Sequence, residues 1–89
     1  MEMTRHERGE RLRRQRLREG MSQLELAART GIPYQVINRV EQGHQTLFVE
    51  RLAELATKLN TSMDYLMGLT DDPTPPAKRP RSRKAAPVG

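Results

Sequence analysis

Between Ser22 and Gly43 the chain has room for two short helices and for little else. Ser22-Gln-Leu-Glu25 has the form of a capping box, in which serine and glutamate each satisfy an amide that a helix start leaves orphaned. Gly31 is a stop signal, because glycine takes the positive φ of a helix end without a steric penalty. Pro33 has no amide and a fixed φ, so it fits only at a helix start. Gly43 closes the second segment. The spacing predicts helices over 23–30 and 33–42. The link between them is about three residues, too few for anything but a tight turn.

The rest of the chain reads as helices around this pair. Thr4-Arg-His-Glu7 is another capping box and opens a helix over 5–19, with Leu12 and Leu17 as its chief apolar positions and Gly20 as its stop. After a loop at 44–46, a fourth helix is expected over 47–59. Its Phe48, Leu52, Leu55, Ala56 and Leu59 recur at helical spacing and predict one buried stripe. Asn60 suits a left-handed C-terminal position, and Ser62 caps a last short helix over 63–67 that ends at Gly68. No stretch alternates with period two over a strand length, so no sheet is expected. The fold expected is all-α: a compact five-helix domain over residues 1–69.

Past Leu69 the composition changes. TDDPTPPAKRPRSRKAAPVG holds five of the six prolines and almost nothing large and apolar. Such a segment cannot bury enough surface to offset its ordering entropy, and residues 70–89 are expected to be a disordered tail. The tail also carries most of the net charge of +5, through Lys78, Arg79, Arg81, Arg83 and Lys84. A basic balance suits a polyanionic partner, and the tail reads either as an arm that follows phosphates or as an inert solubilising end.

Other totals exclude function classes. There are no cysteines, which removes disulfides, thiolate catalysis and Cys-type zinc sites. No apolar run approaches the roughly 20 residues of a membrane span, and the N-terminus has no apolar core of a secretory signal. The cytoplasm is therefore the expected location. With no Trp and one Phe the core must be thin, which makes help from self-association plausible.

If Leu26, Ile32, Ile37 and Val40 face the core, the helix beginning near Pro33 turns Tyr34, Gln35, Asn38 and Arg39 outward, with Val36 beside them. These side chains suit base edges in a DNA groove. Gln pairs with adenine N6 and N7, Arg with guanine O6 and N7, and Val touches a thymine methyl.

Three segments together resemble the lambda-repressor-like, or Xre and Cro type, helix-turn-helix family of bacterial and phage regulators. They are Gly20-Met-Ser-Gln-Leu-Glu-Leu-Ala27, Gly31-Ile-Pro-Tyr-Gln-Val-Ile-Asn-Arg-Val-Glu-Gln-Gly43, and Leu52-Ala-Glu-Leu-Ala-Thr-Lys-Leu59 followed by Thr-Ser-Met-Asp-Tyr-Leu-Met-Gly-Leu69. The resemblance implies a DNA-binding domain with its helix-turn-helix at about 22–43. It implies phosphate contact by Gln23, and by Gly43, His44 and Gln45 in the loop after the reading helix. It implies base reading by Tyr34, Gln35 and Arg39, with Asn38 next to them. It matches Arg16 and Glu41 to a structural ion pair. The chain departs from the pattern at Pro33, where a capping Ser or Thr is usual, at Tyr34, where Gln, Arg or Ser is common, and at Thr30, where an apolar residue is usual.

The function expected is sequence-specific regulation of transcription, as a repressor that binds double-stranded DNA at a palindromic operator as a homodimer. Its self-association surface is expected near Met63, Leu66, Met67 and Leu69. The alternative is a protein-interaction module, such as an antitoxin, that binds a partner protein through the tail, with DNA binding secondary. No nucleophile–base pair, phosphate loop or metal cluster is visible, so neither an enzyme nor a cofactor is expected. His6 and His44 stand far apart without ligand-spaced partners and read as plain polar residues.

Overall fold

The computed structural model describes residues 3–78. Five helices follow one another: α1 (Arg5–Arg18), α2 (Gln23–Thr30), α3 (Tyr34–Glu41), α4 (Val49–Lys58) and α5 (Met63–Met67). No strand occurs among the described residues. The caps are as the sequence reads. Thr4 with Glu7 and Ser22 with Glu25 close full capping boxes, and Ser62 accepts from the Tyr65 amide. Gly31 has φ +76°, and Asn60, though not glycine, has φ +58°.

α1 packs against α3 and α5, α2 against α3 and α4, and α4 against α5. Leu26, Ile32, Ile37, Leu55 and Leu59 are its largest fully buried side chains. Leu12, Val40, Tyr65 and Leu66 complete the core from the other helices, together with Met21 from the link before α2. Thr30, which stands where an apolar residue is usual, is buried with its hydroxyl satisfied on both sides. It donates to Leu26 O at 2.8 Å and accepts from the Ile32 amide at 3.2 Å.

Two sequence expectations are corrected. Phe48 does not join the buried stripe and is 80% exposed. The reason is that α4 begins at Val49, so Phe48 is its extended N-cap and lies outside the helical periodicity. Leu47 packs against the core in its place. Leu17 is 52% exposed. It lies five residues from Leu12, about 140° around a helix, so both cannot face one core. The inward face of α1 is instead Gly9, Leu12, Gln15 and Arg16.

The chain beyond α5 is held to the body further than its composition implies. Arg11 lies 4.5 Å over the Tyr65 ring and donates to Tyr65 O at 2.9 Å and Thr70 O at 2.5 Å. It also pairs with Asp71. Thr61 Oγ1 donates to Pro73 O at 2.6 Å, and a single 3-10 turn covers Pro76–Lys78. Arg79, Arg81, Arg83 and Lys84 lie outside the described residues, as does any arm they form.

Candidate nucleic-acid interface

The short α2 and α3 are joined by Gly31, Ile32 and Pro33, and the turn is fixed from both sides. Gly31 donates its amide to Ala27 O at 2.8 Å, while Ile32 inserts into the core. Pro33 caps α3 with no side-chain bond, and the Val36 and Ile37 amides both close on its carbonyl. With Ile37, Val40 and Glu41 buried, α3 can turn only its opposite face to solvent.

That face carries Tyr34, Gln35 and Arg39, all exposed. The Gln35 and Arg39 side chains have no hydrogen bond or ion pair among the described residues, so their donors and acceptors are open to a ligand. Val36 and Asn38 are different. Val36 is half-buried and packs against the core. Asn38 is half-buried, and its Oδ1 accepts from Gln23 Nε2 at 3.3 Å.

Gln23 sits where α2 begins, and its side chain crosses to α3. Its Nε2 also donates to Glu41 Oε1 at 3.0 Å, so both donor hydrogens are engaged within the protein. The first-turn amides of Gln23 and Leu24 are among those a helix start leaves orphaned. Beneath Gln23, Arg16 Nε meets Glu41 Oε2 at 2.6 Å and Arg16 Nη2 meets Glu41 Oε1 at 2.9 Å. Arg16 Nη1 donates to Met21 O at 2.8 Å. One ion pair thus fixes α1, the link before α2 and the end of α3.

The loop after α3 holds Gly43 and Gln45, both half-buried, and the exposed His44. The His44 amide donates to Arg39 O at 2.9 Å. Gln45 borders two shallow apolar grooves, one beside α1 and α5 and the other beside Val36 and Phe48.

Sequence reasoning missed Gly9, Gln15 and Met21. Gln15 is buried and donates from Nε2 to Leu59 O at 2.9 Å. The signal for Gly9 was a glycine inside an otherwise well-capped helix, which calls for a packing reason. No group of His, Cys, Asp and Glu among the described residues is arranged to hold a metal ion, and no described helix is long and apolar enough to cross a membrane.

A family model described as a helix-turn-helix matches residues 12–66. The restriction-modification controller protein C.AhdI from Aeromonas hydrophila has a similar crystal structure, with a TM-score of 0.67 and 31% sequence identity. The match covers 70% of this chain and 94% of that one. No curated protein matches the chain.

Proposed function

Because this chain belongs to the helix-turn-helix family, in its lambda-repressor-like form, we propose that it is a repressor that reads a palindromic operator as a homodimer. It is a DNA-binding transcriptional regulator, and α3 is the element that enters the major groove. The observation that carries this reading is the contrast on α3. Ile37, Val40 and Glu41 are committed to the fold, while Gln35 and Arg39 are exposed with no partner among the described residues.

Gln35 and Arg39 choose the sequence, and Tyr34 adds a contact at the helix start. Val36 and Asn38 contribute less, since the core holds one and Gln23 the other. Gly43, His44, Gln45 and the head of α2 at Gln23 meet phosphates and set the register. At α2 the backbone amides meet the phosphate first, because the Gln23 side chain is engaged by Glu41 and Asn38.

Self-association is supported by an apolar surface beside α5. A groove of about 280 Å³ is lined by Leu12, Val40, Leu52, Leu66 and Met67 among others, and Phe48, Val49 and Leu69 are exposed. An aromatic knob and a groove on one molecule suit a two-fold interface, in which each copy offers the same patch. Similarity to a restriction-modification controller makes genes of such a system candidate targets. We place its action in the cytoplasm.

Selection of DNA from a random pool tests the proposal. The expected product is a palindromic motif whose half-sites are about 34 Å apart. A pool that converges on no motif would end it, and a single unrepeated half-site would remove the dimer.

A further inference from the structure

α1 runs past the end of α3 and brings its own cations there. Gly9 faces the last carbonyls of α3, so closely that a Cβ there would lie 2.6 Å from Glu41 O. Arg13 is four residues on and Arg16 seven, so all three share one face of α1. Arg16 turns inward to Glu41. Arg13, between them, is exposed and lines an open cleft of about 520 Å³ with Arg14, His6, Gln42 and His44.

Two carboxylates border this cleft, and both are engaged. Glu41 is held by Arg16. Glu10 lies 3.8 Å from His6 Nε2 and 4.0 Å from Arg14. No carboxylate among the described residues pairs with Arg13. On α3, Gln35, Asn38 and Gln42 continue one stripe at helical spacing, and Gln42 is also a wall of the cleft. The head of α2 reaches the same end of α3, because Gln23 bonds to Glu41, and Glu41 is also a wall of the cleft.

A major groove is about 12 Å wide and a helix with its side chains about 10–12 Å across, so a helix lying in the groove has phosphates close on both sides. We infer that the cleft between α1 and the end of α3 is a further phosphate-backbone site, in which Arg13, with Arg14 beside it, extends the phosphate contacts of the α2 head and His44 onto α1. The inference rests on the proposed role of α3. It assigns α1, which carries seven arginines against two glutamates, a direct part in DNA affinity. Arg13 fixes where the duplex lies and leaves base choice to α3.

The test uses the full chain and its Arg13→Gln and Arg14→Gln variants. Binding is measured by fluorescence anisotropy across a salt series, on the selected site and on a fixed duplex of unrelated sequence. The expected result for Arg13→Gln is a plot of log K against log salt shallower by roughly one on both duplexes, with the selected motif and the Tm unchanged. Arg14→Gln is expected to give a smaller change in the same direction. An unchanged slope would overturn the inference, including the case in which Tm falls because Arg13 serves only as a cation beside the carbonyl end of α3. A change in base preference would overturn it too. If the parent chain selects no motif, the proposed function fails by itself, and the slope on the unrelated duplex still decides the phosphate site.

Discussion

Arg16 and Glu41 form a two-pronged ion pair with side chains only 8% and 3% exposed. Burying either charge alone is costly, so the pair holds α1 to α3 only while both members are present. Glu41→Leu is expected to destabilise the domain by about 3–5 kcal/mol, because it leaves the Arg16 guanidinium buried and unpaired. Arg16→Met combined with Glu41→Leu should recover most of that loss. Urea unfolding of the three proteins measures it. A double variant no more stable than the single one would mean that the pair does more than cancel charge.

At Gly9 the backbone of α1 comes close to the last carbonyls of α3. A Cβ there would meet the Val40 carbonyl oxygen as well as Glu41 O, and both are backbone atoms at the end of a helix. Neither can swing aside as a side chain would. Gly9→Ala raises helix propensity, yet it is expected to lower stability by about 1–3 kcal/mol through overpacking. Thermal unfolding gives the sign directly, and a raised Tm would show that the helices separate freely.

The helices were legible in the sequence because their ends are chemical: Thr4 with Glu7, Ser22 with Glu25, Ser62, Gly31 and Asn60 each stop or start a helix by a local bond or a left-handed φ. The outward face of α3 was legible because Ile37 and Val40 fix the inward one. Phe48 was misread, since a stripe argument assumes the residue lies inside the helix and Phe48 is its N-cap. The hold of Arg11 on Thr70 and Asp71 had no local signal, as it spans about sixty residues of sequence. Gln15 hid for a similar reason. A polar residue on a charged helix looks solvated until its partner, Leu59 O, is known.

The first capping box gives a pH dependence. The Thr4 amide and hydroxyl both bond within this box, and Glu7 Oε1 accepts from the Thr4 amide at 2.8 Å. Hydrogen bonding from the Thr4 backbone, then from its side chain, holds the Glu7 carboxyl below its usual 4.5. A depressed carboxyl stabilises the fold above its unfolded value and loses that effect as pH falls through the folded one. Stability of the parent should therefore decline below about pH 4.5, and Glu7→Gln should flatten part of that decline. Acid titration of Tm for both proteins checks this, and parallel curves would exclude Glu7 as a contributor.

Phe48 offers a test of self-association that spares the fold. Its side chain is exposed, makes no part of the core cluster and borders an apolar groove with Val36 and Leu47. Phe48→Ser is expected to change stability of the monomer by no more than about 0.5 kcal/mol, as surface substitutions usually do. Sedimentation should meanwhile shift from dimer toward monomer, with operator affinity falling and the half-site motif kept. An unaltered dimer would move the interface away from this patch.

Arg39 and Gln23 separate sequence reading from general attachment. Arg39 is exposed on the outward face of α3, and its planar guanidinium can meet guanine O6 and N7 together. Arg39→Ala should cost about 1–3 kcal/mol on the selected site and relax one base position in a repeated selection, with little loss on unrelated DNA. Gln23 bonds to Asn38 and Glu41, so its side-chain donors are engaged within the protein. Since the α2 amides meet the phosphate and the Gln23 side chain only ties the head of α2 to α3, Gln23→Ala should weaken selected and unrelated DNA alike by a small factor and leave the motif intact. Equal losses for Arg39→Ala on every sequence would reduce it to a phosphate contact. The choice of base would then rest on Gln35 and Tyr34 alone.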